Sequence, residues 1–135
     1  MTDNEKKAWL WRYRDAKKLL QRLCYQLGEA QTAAGHITQN FSPTPGGSGD
    51  GQRLARAVER QEELKRKVLD QLDECDALYE EIDEVLEQLE DFRVYHVMQA
   101  YYLDSKTWEQ IAAEQNISVR WVHELRRHAI TQLKI

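Results

Sequence analysis

Residues 107–133 read TWEQIAAEQNISVRWVHELRRHAITQL, which contains the signals of two helices joined by a turn. Thr107 followed by Gln110 has the form of a capping box, which predicts the start of a short helix. Asn116 tolerates the left-handed backbone with which many helices end, and Ser118 is a second good N-cap. The helix that follows has one apolar face: Val122, Leu125, Ala129 and Leu133. A short helix, a tight turn and a longer helix form the helix-turn-helix arrangement.

Two long helices are predicted upstream of this motif, because apolar positions recur there at alternating steps of four and three. In residues 1–34 these positions are Trp9, Tyr13, Ala16, Leu20, Leu23, Leu27, Ala30 and Ala34. In residues 52–90 they are Leu54, Val58, Gln61, Lys65, Val68, Leu72, Cys75, Tyr79, Ile82, Leu86 and Leu89. A neighbouring row widens this second face: Ala57, Leu64, Leu78, Val85 and Phe92.

Residues 35–51 separate the two helices and hold both prolines and five of the six glycines. We expect a flexible Gly/Pro/Ser linker there that is not helical. A third helix is predicted from about Asp91 to Leu103, and no stretch of useful length alternates as a strand does. The expected fold is all-α: a long antiparallel helical hairpin, resembling a coiled coil, followed by a helix-turn-helix domain over residues 91–135.

The charge is unevenly distributed along the chain. The formal net charge is −4, and the eleven acidic residues between Asp70 and Asp91 are interrupted by no Lys or Arg. Between Ser118 and Lys134, by contrast, four basic residues stand against one acidic residue. A local positive face is therefore expected in a protein whose overall balance is acidic.

Several classes of function are excluded by what the sequence lacks. The apolar runs are too short to span a membrane, and the first residues lack the pattern of a signal peptide, so we expect a cytoplasmic protein. We find no nucleophile paired with a base, no glycine loop suited to phosphates and no constellation of metal ligands. We therefore expect no enzyme activity, no cofactor and no metal.

The residues of the C-terminal motif carry a resemblance to a known family. Residues 107–133, with the preceding Tyr101-Tyr102-Leu103, resemble region 4 of sigma-70-type transcription factors. Two heptad-patterned helices joined by a linker in front of such a domain are similar to small phage-encoded regulators of the ArpU/RinA kind. The resemblance implies sequence-specific binding of double-stranded DNA in a bacterial host cell and control of phage or prophage transcription.

The resemblance places the reading helix, residues 118–134, in the major groove with its first residues over base edges. It implies ten DNA-binding residues: Lys106, Thr107, Ser118, Val119, Arg120, Trp121, His123, Glu124, Arg126 and Arg127. Arg120 is the candidate for a forked contact with guanine, which is the commonest specific contact. Thr107 and Ser118 begin helices, where backbone N–H groups and hydroxyls suit phosphate oxygens.

Two other functions fit the same fold. The chain could be a sigma-like adaptor that binds host RNA polymerase and has little affinity for DNA. It could also be a phage DNA-packaging recognition subunit, since those proteins likewise join a helix-turn-helix to an oligomerising coiled coil. Dimers favour the transcriptional regulator, and ring-shaped oligomers favour the packaging subunit.

Overall fold

The computed structural model describes residues 1–39 and 48–135, and across these ranges it contains helices and no strands. The helices are α1 (Asp3–Gln39), α2 (Ser48–Leu86), α3 (Phe92–Tyr102), α4 (Trp108–Gln115) and α5 (Val119–Gln132). The all-α class and the long N-terminal helical hairpin are confirmed. No helix in the described part of the chain combines the length and the apolar character needed to cross a bilayer.

The chain divides into two compact units, Lys18–Asp73 and a second unit made of Met1–Lys17 with Glu74–Ile135. The first unit consists of parts of α1 and α2. Its buried side chains include Leu20, Ala34 and Leu64, the last of which is only 1% exposed. Their burial, rather than helix propensity alone, stabilises helices of this length.

The buried face of α2 within Lys18–Asp73 differs from the predicted one. Val58, Lys65 and Leu72, which belong to the predicted seam, are exposed, whereas Leu64 of the neighbouring row is buried. Members of both rows recur at multiples of seven, so heptad spacing alone does not select between them. Lys65 is exposed and pairs with Glu62 at 3.3 Å, whereas the predicted seam would have required desolvation of its ammonium, which favours the other row.

The boundaries of the predicted linker are also corrected. Residues 40–47 lie outside the described residues, but α1 continues to Gln39 and α2 begins at Ser48, so both ends of the range 35–51 are helical. Buried Ala34 and half-buried Ile37 show that α1 still packs on both sides of Gly35. Such packing overrides the cost of about 1 kcal/mol for a helical glycine.

The second long helix ends earlier than predicted, at Leu86 rather than near residue 90. The amides of Gln88 and Leu89 donate to the carbonyls of Val85 and Leu86, at 3.2 and 3.0 Å, which tightens the last turn. Leu89 is then buried, and the Asp91 carboxylate accepts from the Arg93 amide at 2.9 Å to begin α3. The third helix therefore begins within one residue of its predicted start.

The core of the second unit lies where α3, α4 and α5 pack together. Its central buried residues are Val97, Ala100, Ile111, Ala112 and Val122. The start of α1 belongs to the same unit, and Leu10 within it is fully buried. Phe92, which the predicted row had placed inward, is instead 72% exposed.

Candidate nucleic-acid interface

The turn between α4 and α5 is held by the caps that the sequence predicts. Thr107 Oγ1 accepts from the Gln110 amide at 3.2 Å, and the Gln110 side chain accepts from the Thr107 amide at 2.9 Å, which completes a capping box. Asn116 has φ 56° and ψ 45°, the left-handed conformation, and its amide donates back to α4. Ser118 Oγ accepts from the Trp121 amide at 3.1 Å and starts α5. These bonds fix the direction in which α5 leaves the turn.

The first turns of α5 have one buried and one exposed face. Val122 is fully buried, and Val119 and Ile117 pack against the core around it. On the other face the Arg120 side chain is 91% exposed, with its Nε 3.8 Å from Glu124 Oε1. Because the buried face of α5 anchors the helix, the exposed residues of α5 are held in defined positions. Residues on a mobile loop would not be.

The structure separates the ten predicted DNA-binding residues into two groups. The exposed ones are Thr107, Ser118, Arg120, Trp121, Glu124 and Arg127. The partly buried ones are Lys106, Val119, His123 and Arg126. Each member of the second group has a contact within the protein that explains its burial, so these residues contribute less freely to an external surface.

Arg126 contacts an aromatic cluster, which we define as Trp11, Tyr101, Tyr102 and Trp108. Its Nε and Nη2 atoms donate to the Tyr102 hydroxyl at 3.2 and 3.1 Å. Its guanidinium also lies 5.0 Å from the ring centroid of Trp108 and 5.5 Å from that of Tyr101. Burial raises the pKa of Tyr102, and the charge of Arg126 opposes that rise. Arg126 therefore stabilises the unit from within.

The remaining members of the cluster join α1 to α3 and α4. Tyr101 and Trp108 stack with 3.6 Å between centroids and 17° between planes, and Trp11 lies 5.9 Å from Tyr101. His123 extends the contacts to α5, with its ring 4.9 Å from that of Trp108. Arg14 of α1 donates to the Tyr101 carbonyl at 3.1 Å. Aromatic pairs and cation–π contacts of this kind each contribute about 0.5–1.5 kcal/mol beyond area burial.

Lys106 is held in an ion pair before α4 begins. Its Nζ lies 2.8 Å from Glu114 Oε2, and this contact raises the pKa of Lys106. The pair is exposed to solvent, so its contribution to stability is small. It does, however, neutralise a cation that the sequence alone assigned to the phosphate backbone.

The first turn of α1 packs against α5, which the sequence analysis missed. Lys6 Nζ donates to the Ile130 carbonyl at 3.0 Å, one of the last four carbonyls of α5 that lack a partner within the helix. Lys7 and Asp3 lie beside His123, Arg126 and Arg127 around a pocket. No periodicity signals such a contact, because the two segments lie more than a hundred residues apart in the chain.

Comparison with known protein families, with curated proteins and with solved structures found no match to this chain. The geometry of α4 and α5 is therefore the basis for a functional proposal. That geometry offers an exposed arginine and an exposed carboxylate one helical turn apart, with an exposed Trp121 beside them. Guanidinium donors and a carboxylate acceptor are the groups that hydrogen-bond to base edges.

Proposed function

We propose that this protein binds double-stranded DNA sequence-specifically and regulates the transcription of phage or prophage genes. In this proposal α4 and α5 are a helix-turn-helix of the sigma region 4 type, and α5 is the reading helix. The observation that carries the proposal is the 91% exposure of the Arg120 side chain on the first turn of a helix whose opposite face is buried. A reading helix must expose its N-terminal residues in this way to reach base edges.

Arg120 and Glu124 are suited to reading bases together. The forked guanidinium pairs with O6 and N7 of guanine, and a carboxylate accepts from the amino group of cytosine. Their separation of 3.8 Å restrains Arg120 only weakly, because both side chains are well exposed. Trp121, 45% exposed, supplies an apolar surface for a sugar or a thymine methyl group.

The two capping hydroxyls support the contact with phosphates. Thr107 Oγ1 and Ser118 Oγ each accept one amide hydrogen in a cap, and each hydroxyl keeps a hydrogen that can be donated to a phosphate oxygen. Both stand at the start of helices, where the dipole favours negative charge. These contacts would set the orientation of α5 on the duplex without reading its sequence.

A selection followed by a titration tests the proposal. The protein is used to select duplexes from a random pool, and the enriched duplex is then titrated at two salt concentrations by fluorescence anisotropy. We expect enrichment of a defined sequence and affinity that falls as salt increases. Arg22→Gln serves as the control, since Arg22 is an exposed cation of α1 in the other unit. The absence of duplex binding at low salt would refute the proposal.

A second candidate, a sigma-like adaptor that binds RNA polymerase, is favoured by the surroundings of Phe92. This exposed ring lines a pocket of about 210 Å³ with Leu89 and Tyr95, and Glu87 and Glu90 lie beside them. An apolar side chain flanked by basic residues would fit such a pocket. Phe92→Ala should then weaken binding to purified bacterial RNA polymerase. Replacement of Tyr25, an equally exposed aromatic in the other unit, should not.

We propose that the protein is a homodimer joined through its long helices. Val58, Leu69 and Leu72 share one face of α2 and are 46, 62 and 41% exposed. Along the sequence, basic residues outnumber acidic residues before this face, and acidic residues outnumber basic residues after it. If a second copy of α2 packed antiparallel on the face, the basic segment of each copy would therefore lie opposite the acidic segment of the other. Sedimentation equilibrium should give a dimer, and Leu69→Gln should give a monomer. A ring-shaped oligomer would favour the DNA-packaging subunit instead.

A further inference from the structure

We propose that the pocket between the first turn of α1 and the middle of α5 binds a phosphate group. The pocket has a volume of about 180 Å³ and is lined by Asp3, Lys7, His123, Arg126, Arg127 and Ile130. A tetrahedral oxyanion fits a volume several times the roughly 30 Å³ that one water occupies in the liquid. Three permanent cations stand against a single carboxylate around this space.

Two of these cations are not engaged by the protein itself. The side chains of Lys7 and Arg127 make no hydrogen bond or ion pair with any residue in the described ranges 1–39 and 48–135; the bond that Arg127 accepts from Thr131 goes to its backbone carbonyl. Three cations and one carboxylate around one space leave an excess of positive charge, and an anion in that space lowers the repulsion among the cations. A guanidinium and an ammonium together also match phosphate oxygens with directed donors.

The other walls of the pocket are fixed in place. Arg126 is held by its two hydrogen bonds to the Tyr102 hydroxyl, and Lys6 ties the first turn of α1 to α5 through the Ile130 carbonyl. Ile130 is only 1% exposed. An incoming phosphate would therefore meet one cation, Arg126, that is already in place, and the conformational entropy lost on binding would come from the Lys7 and Arg127 side chains.

Two sources can supply this phosphate: the backbone of a duplex or a free phosphate-bearing molecule. The duplex source rests on the proposed function, because the pocket lies on the same α5 that would read the bases. In that case the N-terminal segment of α1 would extend the DNA contact beyond the helix-turn-helix. The extension would place Lys7 on the backbone, where it adds affinity without sequence preference.

The first arm of the test uses duplex DNA. Wild type and the single variants Lys7→Gln and Arg127→Gln are titrated with one duplex at several salt concentrations. We expect each variant to bind about tenfold more weakly and to reduce the salt slope by about one. Asp3→Asn should instead bind more tightly, because it removes the only carboxylate of the pocket. Arg22→Gln, which loses the same charge outside the pocket, should leave the salt slope unchanged.

The second arm uses inorganic phosphate alone, with chloride at matched ionic strength as the reference. Amide resonances of Arg127 and Ile130 should shift with phosphate in wild type and stay in place in the double variant Lys7→Gln/Arg127→Gln. If wild type binds duplex and neither arm distinguishes the variants, the inference is overturned while the proposed function stands. If no duplex binds and phosphate still shifts these resonances, the proposed function fails and the pocket serves a free phosphate-bearing ligand. Failure in both arms overturns both.

Discussion

The contact between Arg126 and Tyr102 allows a quantitative test of how the C-terminal unit is held together. Tyr102 is fully buried, and the two bonds from Arg126, at 3.1 and 3.2 Å, are the hydrogen bonds that its hydroxyl makes among the described residues. In Arg126→Met the apolar stem is kept, but the buried hydroxyl loses its donors, which costs about 1–3 kcal/mol. Loss of the cation–π contacts adds about 0.5–2 kcal/mol.

The expected destabilisation by Arg126→Met is therefore about 3 kcal/mol, a loss of about 10 °C in Tm for a chain of this size. Tyr102→Phe should lower the free energy of unfolding by only about 1 kcal/mol, because Arg126 is half-buried and water can still hydrate its guanidinium. The double variant removes donor and acceptor together, so its cost should fall below the sum of the single costs by about 1–2 kcal/mol.

Urea denaturation followed by tryptophan fluorescence measures these free energies. All four tryptophans lie in Met1–Lys17 or Glu74–Ile135, so the signal reports the unit that contains the cluster. If the cost of the double variant equals the sum of the two single costs within about 0.3 kcal/mol, the proposed coupling between Arg126 and Tyr102 is wrong, because independent sites add to that precision. A cost below about 0.5 kcal/mol for Arg126→Met, the range of an ordinary surface substitution, would refute it as well.

Three further predictions concern the same unit. The Tyr95 hydroxyl donates to Asp83 at 2.7 Å, which raises the pKa of Tyr95 to about 12. Since the protonated form is favoured in the folded state, this contribution to stability is complete below pH about 10 and is lost as the pH approaches 12; urea melts on either side of that range should show a larger loss in wild type than in Tyr95→Phe, which keeps the raised pKa values of Tyr13, Tyr79 and Tyr102. Asn116→Ala should lower the free energy of unfolding by about 1 kcal/mol, because the φ angle at this position is positive. Asn116→Gly should change it by less than about 0.5 kcal/mol, and thermal melts measure both values. Ala112→Leu should overpack the core and lower the free energy of unfolding by about 1–3 kcal/mol in the same melts. Ala113 is exposed, so Ala113→Leu should leave that free energy nearly unchanged.

The features most accessible from sequence were those encoded by neighbouring residues. Thr107, Asn116 and Ser118 specify their caps through bonds to residues three or four positions away, and the structure shows each of them. Heptad spacing likewise identified both long helices. It does not select the buried row of α2, because both rows have heptad spacing and only packing against the partner helix decides between them.

Long-range contacts account for what the sequence did not reveal in the candidate site. Arg126 lies outside the apolar row of α5, so its position in the sequence predicts a surface residue. Its partial burial depends on aromatic rings contributed by α3 and α4. Lys7 precedes the first apolar position of α1 and carries no local signal of its neighbours on α5. Such contacts arise from how helices pack, which short-range spacing does not encode.

Base reading by Arg120 can be tested by comparing the sequence preferences of two proteins. Wild type and Arg120→Ala are each used to select duplexes from the same random pool, and each protein is then titrated with the enriched duplex and with single-base variants of it. If Arg120 reads a base, Arg120→Ala should lose discrimination at one base pair, worth about 1–3 kcal/mol, and should keep its preference elsewhere. Identical preferences at every position in the two proteins would contradict it.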